Sequence, residues 1–216
     1  IVLPESATES DVRSYLVALS SDETVTGVLV FSPLPKTLRM HEIIHALDTA
    51  KDVEGRRVLY GEKNSVMPPT AEAAVTLVDE TKKDISGQQA VVVGRSDVVG
   101  KPAALMLLAR HATVTLCHSK TRDLKKHVQS ADVLIVSVGK PHIIKGSWIK
   151  KGSIVVDVGE NIVDGQPTGD VEFNAAKENA AYITPVPGGV GPLTNVMLIK
   201  NLIKLDNQRI LNNGNS

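Results

Sequence analysis

The stretch Val91-Val92-Val93-Gly94-Arg95-Ser96-Asp97-Val98-Val99-Gly100-Lys101-Pro102 constrains the fold more than any other. Three consecutive valines suit a strand covered on both faces. Gly94 lets the chain turn sharply, and Gly100 permits a close approach. Pro102 can occupy the first turn of a helix, where no N–H is needed. A helix over 102–110 would then aim its free N–H groups and the positive end of its dipole into the turn, which makes a phosphate cradle. The dinucleotide pattern Gly-x-Gly-x-x-Gly is matched only in part: Gly94, Ser96 and Val99 hold its three positions, and a glycine follows one place late at Gly100. An ordinary strand-to-helix loop therefore stays open beside a nucleotide site. A second strand, Thr113–Cys117, leads into His118-Ser119-Lys120-Thr121, where a dinucleotide fold meets the adenosine ribose. An acidic residue there would select NAD. Ser119 and Lys120, with Arg95 in the preceding turn, instead suit a 2′-phosphate, so NADP is expected and NAD is the alternative.

The rest of the chain alternates strand and helix signals. Ile1-Val2-Leu3 reads as the end of a strand begun upstream. Ser6-Ala7-Thr8-Glu9 has capping-box spacing for a helix over about 9–19, and Val25–Phe31 reads as a strand ended by Pro33 and Pro35. A helix over about 38–49 follows, and this βα alternation implies parallel pairing. Pro68-Pro69-Thr70 introduces a helix through about Lys83, and Ile85-Ser86-Gly87 is the expected hinge. Beyond it come a helix at 122–129, apolar strands at 132–139 and 153–159 that both end in glycine, a turn at Asp164-Gly165, a helix at 171–179 and a strand at 181–184. Glycine-ended strands leave backbone room for a flat ligand. Pro185-Val186-Pro187-Gly188-Gly189-Val190-Gly191-Pro192 suits a ligand-facing loop better than a spacer, and a helix from Pro192 runs to about Leu205. Leu211–Ser216 reads as a frayed tail.

The expected fold is α/β: a Rossmann-like, doubly wound parallel sheet domain plus an incomplete α/β catalytic domain. The expected divisions are 1–84, 85–188, a returning helix at 189–207 and a tail at 208–216. With 42% hydrophobic residues among 216, the chain can bury a substantial core. Twenty-four basic residues balance 24 acidic ones, so no charge surplus points to nucleic acid. No apolar run spans a membrane, and the first residues lack signal-peptide order. One cysteine excludes an internal disulfide framework and fits a reducing compartment, expected to be the cytoplasm, with the mitochondrial matrix as the alternative.

Two local patterns compete with this reading. His41-Glu42-Ile43-Ile44-His45 matches the helical zinc motif His-Glu-x-x-His, against which stand surface histidines on an amphipathic helix; no third ligand is signalled, and no metal is expected. Cys117-His118 could present a thiol nucleophile, although a cysteine closing a buried strand more often packs.

Four motifs are identified with a family. Gly94-Arg95-Ser96-x-x-Val99-Gly100-x-Pro102, Ala112–Thr121, Gly169-Asp170-Val171 and Thr184–Thr194 resemble the methylenetetrahydrofolate dehydrogenase/cyclohydrolase (FolD) family, and the likeness extends to about Leu205. It includes Leu3–Thr8, Pro33-Leu34-Pro35 and Lys51–Gly55. The resemblance implies NADP-linked oxidation of 5,10-methylenetetrahydrofolate, a tetrahydrofolate derivative held in a cleft against the first domain, and a homodimer. It implies cofactor contacts from Gly94, Arg95, Ser96, Gly100, Ser119, Gly139, Gly159 and Glu160, folate contacts from Pro187, Gly188 and Gly189, and a catalytic carboxylate at Glu54.

Departures from the pattern fall on one side of the chemistry. Phe31 replaces the glutamine of Val-Gln-Leu-Pro-Leu-Pro, Glu54 the aspartate of Lys-Asp-Val-Asp-Gly, and Glu160 the isoleucine of Gly-Ile-Asn. The segment 56–67 is short for the family, and the lysine of its Tyr-x-x-x-Lys helix would fall upstream of residue 1. The expectation is hydride transfer with poor cyclohydrolase activity. The alternative is a non-catalytic nucleotide-binding relative with a regulatory or assembly role.

Overall fold

The computed structural model describes residues 1–32, 34–61 and 65–213. Pro33 and the tail residues 214–216 lie outside the described residues. By compactness the chain forms two units, Ile1–Pro68 with Leu198–Ser216, and Pro69–Met197.

In the first unit, helix α1 (Glu9–Ser21) begins at a capping box, but not the one expected. Thr8 Oγ1 accepts from Asp11 N at 3.2 Å and Asp11 Oδ2 accepts from Thr8 N at 2.8 Å. Ala7 N donates back to Pro4 O at 2.9 Å, which holds Ser6 in a turn ahead of the helix. Val12 and Leu16 of α1 bury against Ile43, Ile44 and Leu47. Lys51 caps the other end, its ammonium donating to Leu19 O at 2.9 Å and to Asp22 O.

The expected helix over 38–49 is broken. Helix α2 (Met40–Ile43) passes into a 3-10 turn, Ile44–Ala46. Asp48 Oδ1 then accepts from Ala50 N at 2.9 Å and starts a separate turn, Thr49–Lys51. A side chain that bonds nearby backbone competes with helix continuation. The expected strand 25–31 is reduced to one parallel bridge, Val28 with Asp52, and Ile1–Leu3 forms no strand. The final helix contributes Leu205 to a cluster with Val53 and Val66, and its Asn201 Nδ2 donates to Val53 O at 3.0 Å and Met67 O at 2.8 Å.

The second unit is a three-layer α/β fold. Helix α3 (Pro69–Glu80) precedes β1 (Gln89–Val93), α4 (Gly100–Leu108), β2 (Thr113–Cys117), α5 (Leu124–Ser130), β3 (Val133–Val136) and β4 (Ile154–Asp157). There follow a hairpin of β5 (Asn161–Val163) and β6 (Gln166–Thr168), then α6 (Phe173–Lys177), β7 (Tyr182–Ile183) and α7 (Val190–Asn213). Five strands make a parallel sheet in the order β2-β1-β3-β4-β7. Successive residues of a strand face opposite ways. Accordingly Ala90, Val92, Val133, Ile135, Ile154 and Val156 pack with α3 and α4, while Val91, Val93, Leu134, Val136 and Val155 pack with residues of α5 and α6.

Helix α3 buries Ala71, Ala74, Val75 and Val78 in the first of these layers, which is why compactness divides the chain at Pro68 and not after residue 84. Val171 is taken into a bridge with Ile144, so α6 is shorter than the 171–179 expected. Helix α7 is longer at both ends than 192–205 and runs through Leu211, Asn212 and Asn213, where a frayed tail was expected. Asp164 and Gly165 carry φ of 50° and 75° and turn the β5–β6 hairpin, in keeping with the turn expected there.

Candidate functional site

Four strands of the sheet end level. Cys117 pairs with Val93, Val93 with Val136, and Val136 with Asp157. The loops that follow are therefore delivered to one carboxyl edge, and they carry Ser119, Gly94–Ser96, Gly139, and Gly159 with Glu160. Strand β1 connects to β2 on one side and its neighbour β3 connects to β4 on the other, so the connections leave in opposite directions from the adjacent ends of β1 and β3. In an open α/β sheet this switch point is where a crevice opens.

Gly94 has φ +124°, and a β-carbon there would stand 2.1 Å from Ser137 O. Only glycine allows β1 and β3 to end this close together. The turn differs from the cradle expected from the sequence. Ser96 Oγ accepts from Val99 N at 3.2 Å and Gly100 N at 3.4 Å, and Ser96 O accepts from Lys101 N at 3.1 Å. The first donors of α4 are thus engaged by Ser96, and Ser96 itself becomes part of the surface a phosphate would meet. At the end of β2, Thr121 Oγ1 accepts from His118 N at 2.8 Å and His118 Nδ1 from Lys120 N at 3.1 Å. This tight turn leaves Ser119 and Lys120 exposed, as Arg95 is. Cys117 is fully buried, and burial pushes its thiol up, which suits packing and not nucleophilic chemistry.

Two carboxylates organise the other half of this edge: Asp157, and Asp170 of the Gly169-Asp170-Val171 motif, neither of which the sequence reading gave a role. Asp170, fully buried, accepts at Oδ2 from Val138 N at 2.7 Å and Gly139 N at 3.0 Å, and at Oδ1 from Lys140 N at 2.8 Å and Asn161 Nδ2 at 2.9 Å. Asp157 accepts from Gly159 N at 2.9 Å, Asp170 N at 3.0 Å and Val171 N at 2.8 Å. The available signal was an aspartate closing the apolar run Ile154–Asp157 and another directly after Gly169. Burial pushes Asp157 up to about 6; its three backbone bonds oppose that rise and the Asp170 charge adds to it.

Gly159, Glu160, Pro187, Gly188 and Gly189 line one cleft of about 670 Å³, together with Asp157 and Thr194. The Val186–Pro187 peptide is cis, and Gly188 has φ +100°. Glu160 is exposed, so its carboxylate stays in water. Gly94, Arg95, Ser96, Ser119 and Gly139 border the same sheet edge but not this cleft.

In the first unit, both Glu54 oxygens are held by Arg56, at 2.7 Å from Nε and 3.0 Å from Nη2. Buried Asp52 braces the same turn, accepting from Glu54 N at 3.1 Å and Arg56 N at 2.8 Å, and burial pushes its carboxyl up. Phe31 is 79% exposed. His41 and His45 are exposed with ring centroids 5.5 Å apart, but the α-helix ends at Ile43, so the two no longer share one regular helical face. Among the described residues no group of three or more His, Cys, Asp or Glu could hold a metal ion.

A parallel sheet of this order, with glycine turns gathered at its switch point, defines a doubly wound nucleotide-binding α/β protein. Residues 68–210 match the NAD(P)-binding domain of tetrahydrofolate dehydrogenase/cyclohydrolase, and residues 1–54 match the catalytic domain of the same enzymes. The chain belongs to the tetrahydrofolate dehydrogenase/cyclohydrolase family. Bifunctional protein FolD 2 of Geobacter metallireducens is 47% identical over 209 residues, covering 94% of this chain and 73% of the relative. The bifunctional FolD crystal structure from Campylobacter jejuni superposes with a TM-score of 0.90 at 37% identity, covering 96% of this chain and 76% of that one. The Trypanosoma brucei FolD structure, complexed with NADP cofactor and inhibitor, gives 0.89 at 34% identity, covering 96% and 75%.

Proposed function

We propose that this protein oxidises 5,10-methylenetetrahydrofolate to 5,10-methenyltetrahydrofolate with NADP, a step of one-carbon metabolism. The observation that carries the reading is the level row Cys117, Val93, Val136 and Asp157, which brings the loops of Ser119, Gly94, Gly139 and Gly159 to one sheet edge.

The residues present fit the cofactor. Gly94 and Gly100 have no room for side chains, which holds the β1 turn tight against the end of β3 and the start of α4, and exposed Ser96 offers a hydroxyl to a pyrophosphate. Exposed Arg95 and Ser119, with Lys120 beside them, suit a 2′-phosphate. Gly139, Gly159 and Glu160 would border the nicotinamide, and Pro187, Gly188 and Gly189 would face the pterin. NADP, when bound, supplies the acceptor for the hydride that leaves the methylene carbon. This chain contributes alignment and exclusion of water, and the step needs no dedicated acid or base.

Glu54 stands at the position of the family's catalytic carboxylate. Its two oxygens are committed to Arg56, and Phe31 offers no polar group, so hydrolysis of the methenyl product is expected to be slow. The reading extends to a homodimer on family resemblance alone, and to the cytoplasm, with the mitochondrial matrix as the alternative, on the single cysteine.

The test is folate-dependent NADPH formation with 5,10-methylenetetrahydrofolate and NADP, with loss of the methenyl product followed separately. Saturable NADP binding without folate-dependent NADPH formation would favour a non-catalytic nucleotide-binding protein.

A further inference from the structure

We propose that Asp170, backed by Asp157, is the positioning residue that presents the two glycine turns after β3 and β4 to the nicotinamide end of the cofactor; this rests on the dehydrogenase reading above. A fully buried carboxylate is costly unless its oxygens are saturated with donors. Asp170 meets that condition by taking three successive N–H groups, those of Val138, Gly139 and Lys140, and the Asn161 amide. One side chain thus dictates the path of the whole turn after β3.

The turn after β4 is fitted to the same group. A β-carbon on Gly159 would stand 2.2 Å from Asp170 Cγ, so the glycine backbone rests directly on the carboxylate. Asp157 repeats the arrangement one step back. It binds the N–H groups of Gly159, Asp170 and Val171, and a β-carbon on Gly169 would stand 2.1 Å from its Oδ2. Each aspartate has a glycine against it, and Gly159 touches both carboxylates. Asp170 itself has no exposed surface and does not line the 670 Å³ cleft, so it acts on the cofactor through Gly139 and Gly159 and not by contact.

Asp170→Asn preserves shape but replaces one acceptor with an NH₂ facing backbone donors. It is expected to raise the NADP KM about tenfold, while the KM for 5,10-methylenetetrahydrofolate stays within about twofold. Asn161→Ala removes one of the four donors to Asp170, is expected to raise the NADP KM about threefold, and carries the test should Asp170→Asn not fold. Asn201→Ala, in the other unit, serves as a destabilised control and is expected to keep the wild-type NADP KM. Folded Asp170→Asn and Asn161→Ala proteins with wild-type NADP KM would overturn the proposal alone. A wild-type protein that fails to bind NADP would overturn the functional reading as well.

Discussion

Gly100 lies so close to Gly94 that a β-carbon on it would stand 2.1 Å from the Gly94 carbonyl oxygen and 2.9 Å from Arg95 N. Both neighbours are backbone, and neither can swing aside as a side chain tip could. Gly100→Ala is therefore expected to push α4 away from the β1 turn, costing about 1–3 kcal/mol of stability. The same shift should raise the NADP KM at least about tenfold. Thermal melting and NADP titration of the variant check both effects, and a melt and KM like the wild type would reject the account.

Arg95 bears on the choice between the two nicotinamide cofactors. Its guanidinium is exposed at the start of the turn, and Asp97, the nearest acid in sequence, is paired with Lys101. A guanidinium matched to a phosphate forms strong charge-assisted bonds. Arg95→Ala is expected to lower kcat/KM with NADP by about tenfold or more and to leave NAD-linked turnover within about twofold. Equal losses with both cofactors would show that Arg95 does not read the 2′-phosphate.

Asp157 gives the fold an unusual pH response. Its folded value of about 6 lies above the ordinary 3.8, so the folded state binds the proton more tightly than the unfolded chain does. The stability this proton contributes is fully present below about pH 4 and is lost as pH rises through about 6, a change on the order of 3 kcal/mol. Asp22, held down by Thr24, and Glu172, held down by Lys145, have the opposite slope. They cancel when Asp157→Asn is compared with wild type. Denaturant unfolding of both proteins from pH 4 to pH 7 should show the wild-type advantage shrinking with pH; a constant difference would count against a raised value.

Asn201 is buried, and its amide serves two carbonyls, Val53 O and Met67 O. Asn201→Ala leaves both acceptors without that partner. A loss of about 2–4 kcal/mol in unfolding free energy is expected, measured by urea titration. A change under about 0.5 kcal/mol would mean that these carbonyls are satisfied without it.

The second unit was legible because its central strands β1, β3 and β4 are apolar runs covered on both faces, and such runs announce themselves without a partner. The first unit was less so. Val25–Phe31 has strand composition, yet Val28 pairs only with Asp52, and composition cannot report how much ladder a segment will find. The helix signal over 38–49 was met only by Met40–Ile43 and the 3-10 turn Ile44–Ala46; Leu47 is extended, and Asp48 accepts from Ala50 N to start a separate turn. Within the site, the glycines were readable because backbone freedom is a property of the residue type. Asp157 and Asp170 were given no role, since their meaning comes mostly from bonds to residues 9 to 32 places away, Gly159 alone lying near Asp157 in sequence. Ser96 was read as a phosphate contact, and its second task of capping α4 depends on a loop geometry that no spacing encodes.

The first unit is assembled from two pieces, Ile1–Pro68 and Leu198–Ser216, whereas the second is the single run between them. Val53 and Val66 form their buried cluster with Leu205, and Val53 O and Met67 O accept from Asn201 Nδ2. During translation the sheet unit has all of its own residues as soon as Met197 leaves the ribosome. The earlier segment, made first, has to wait with that apolar face uncovered until the last turns of α7 emerge, so the order of synthesis and the order of completion are reversed.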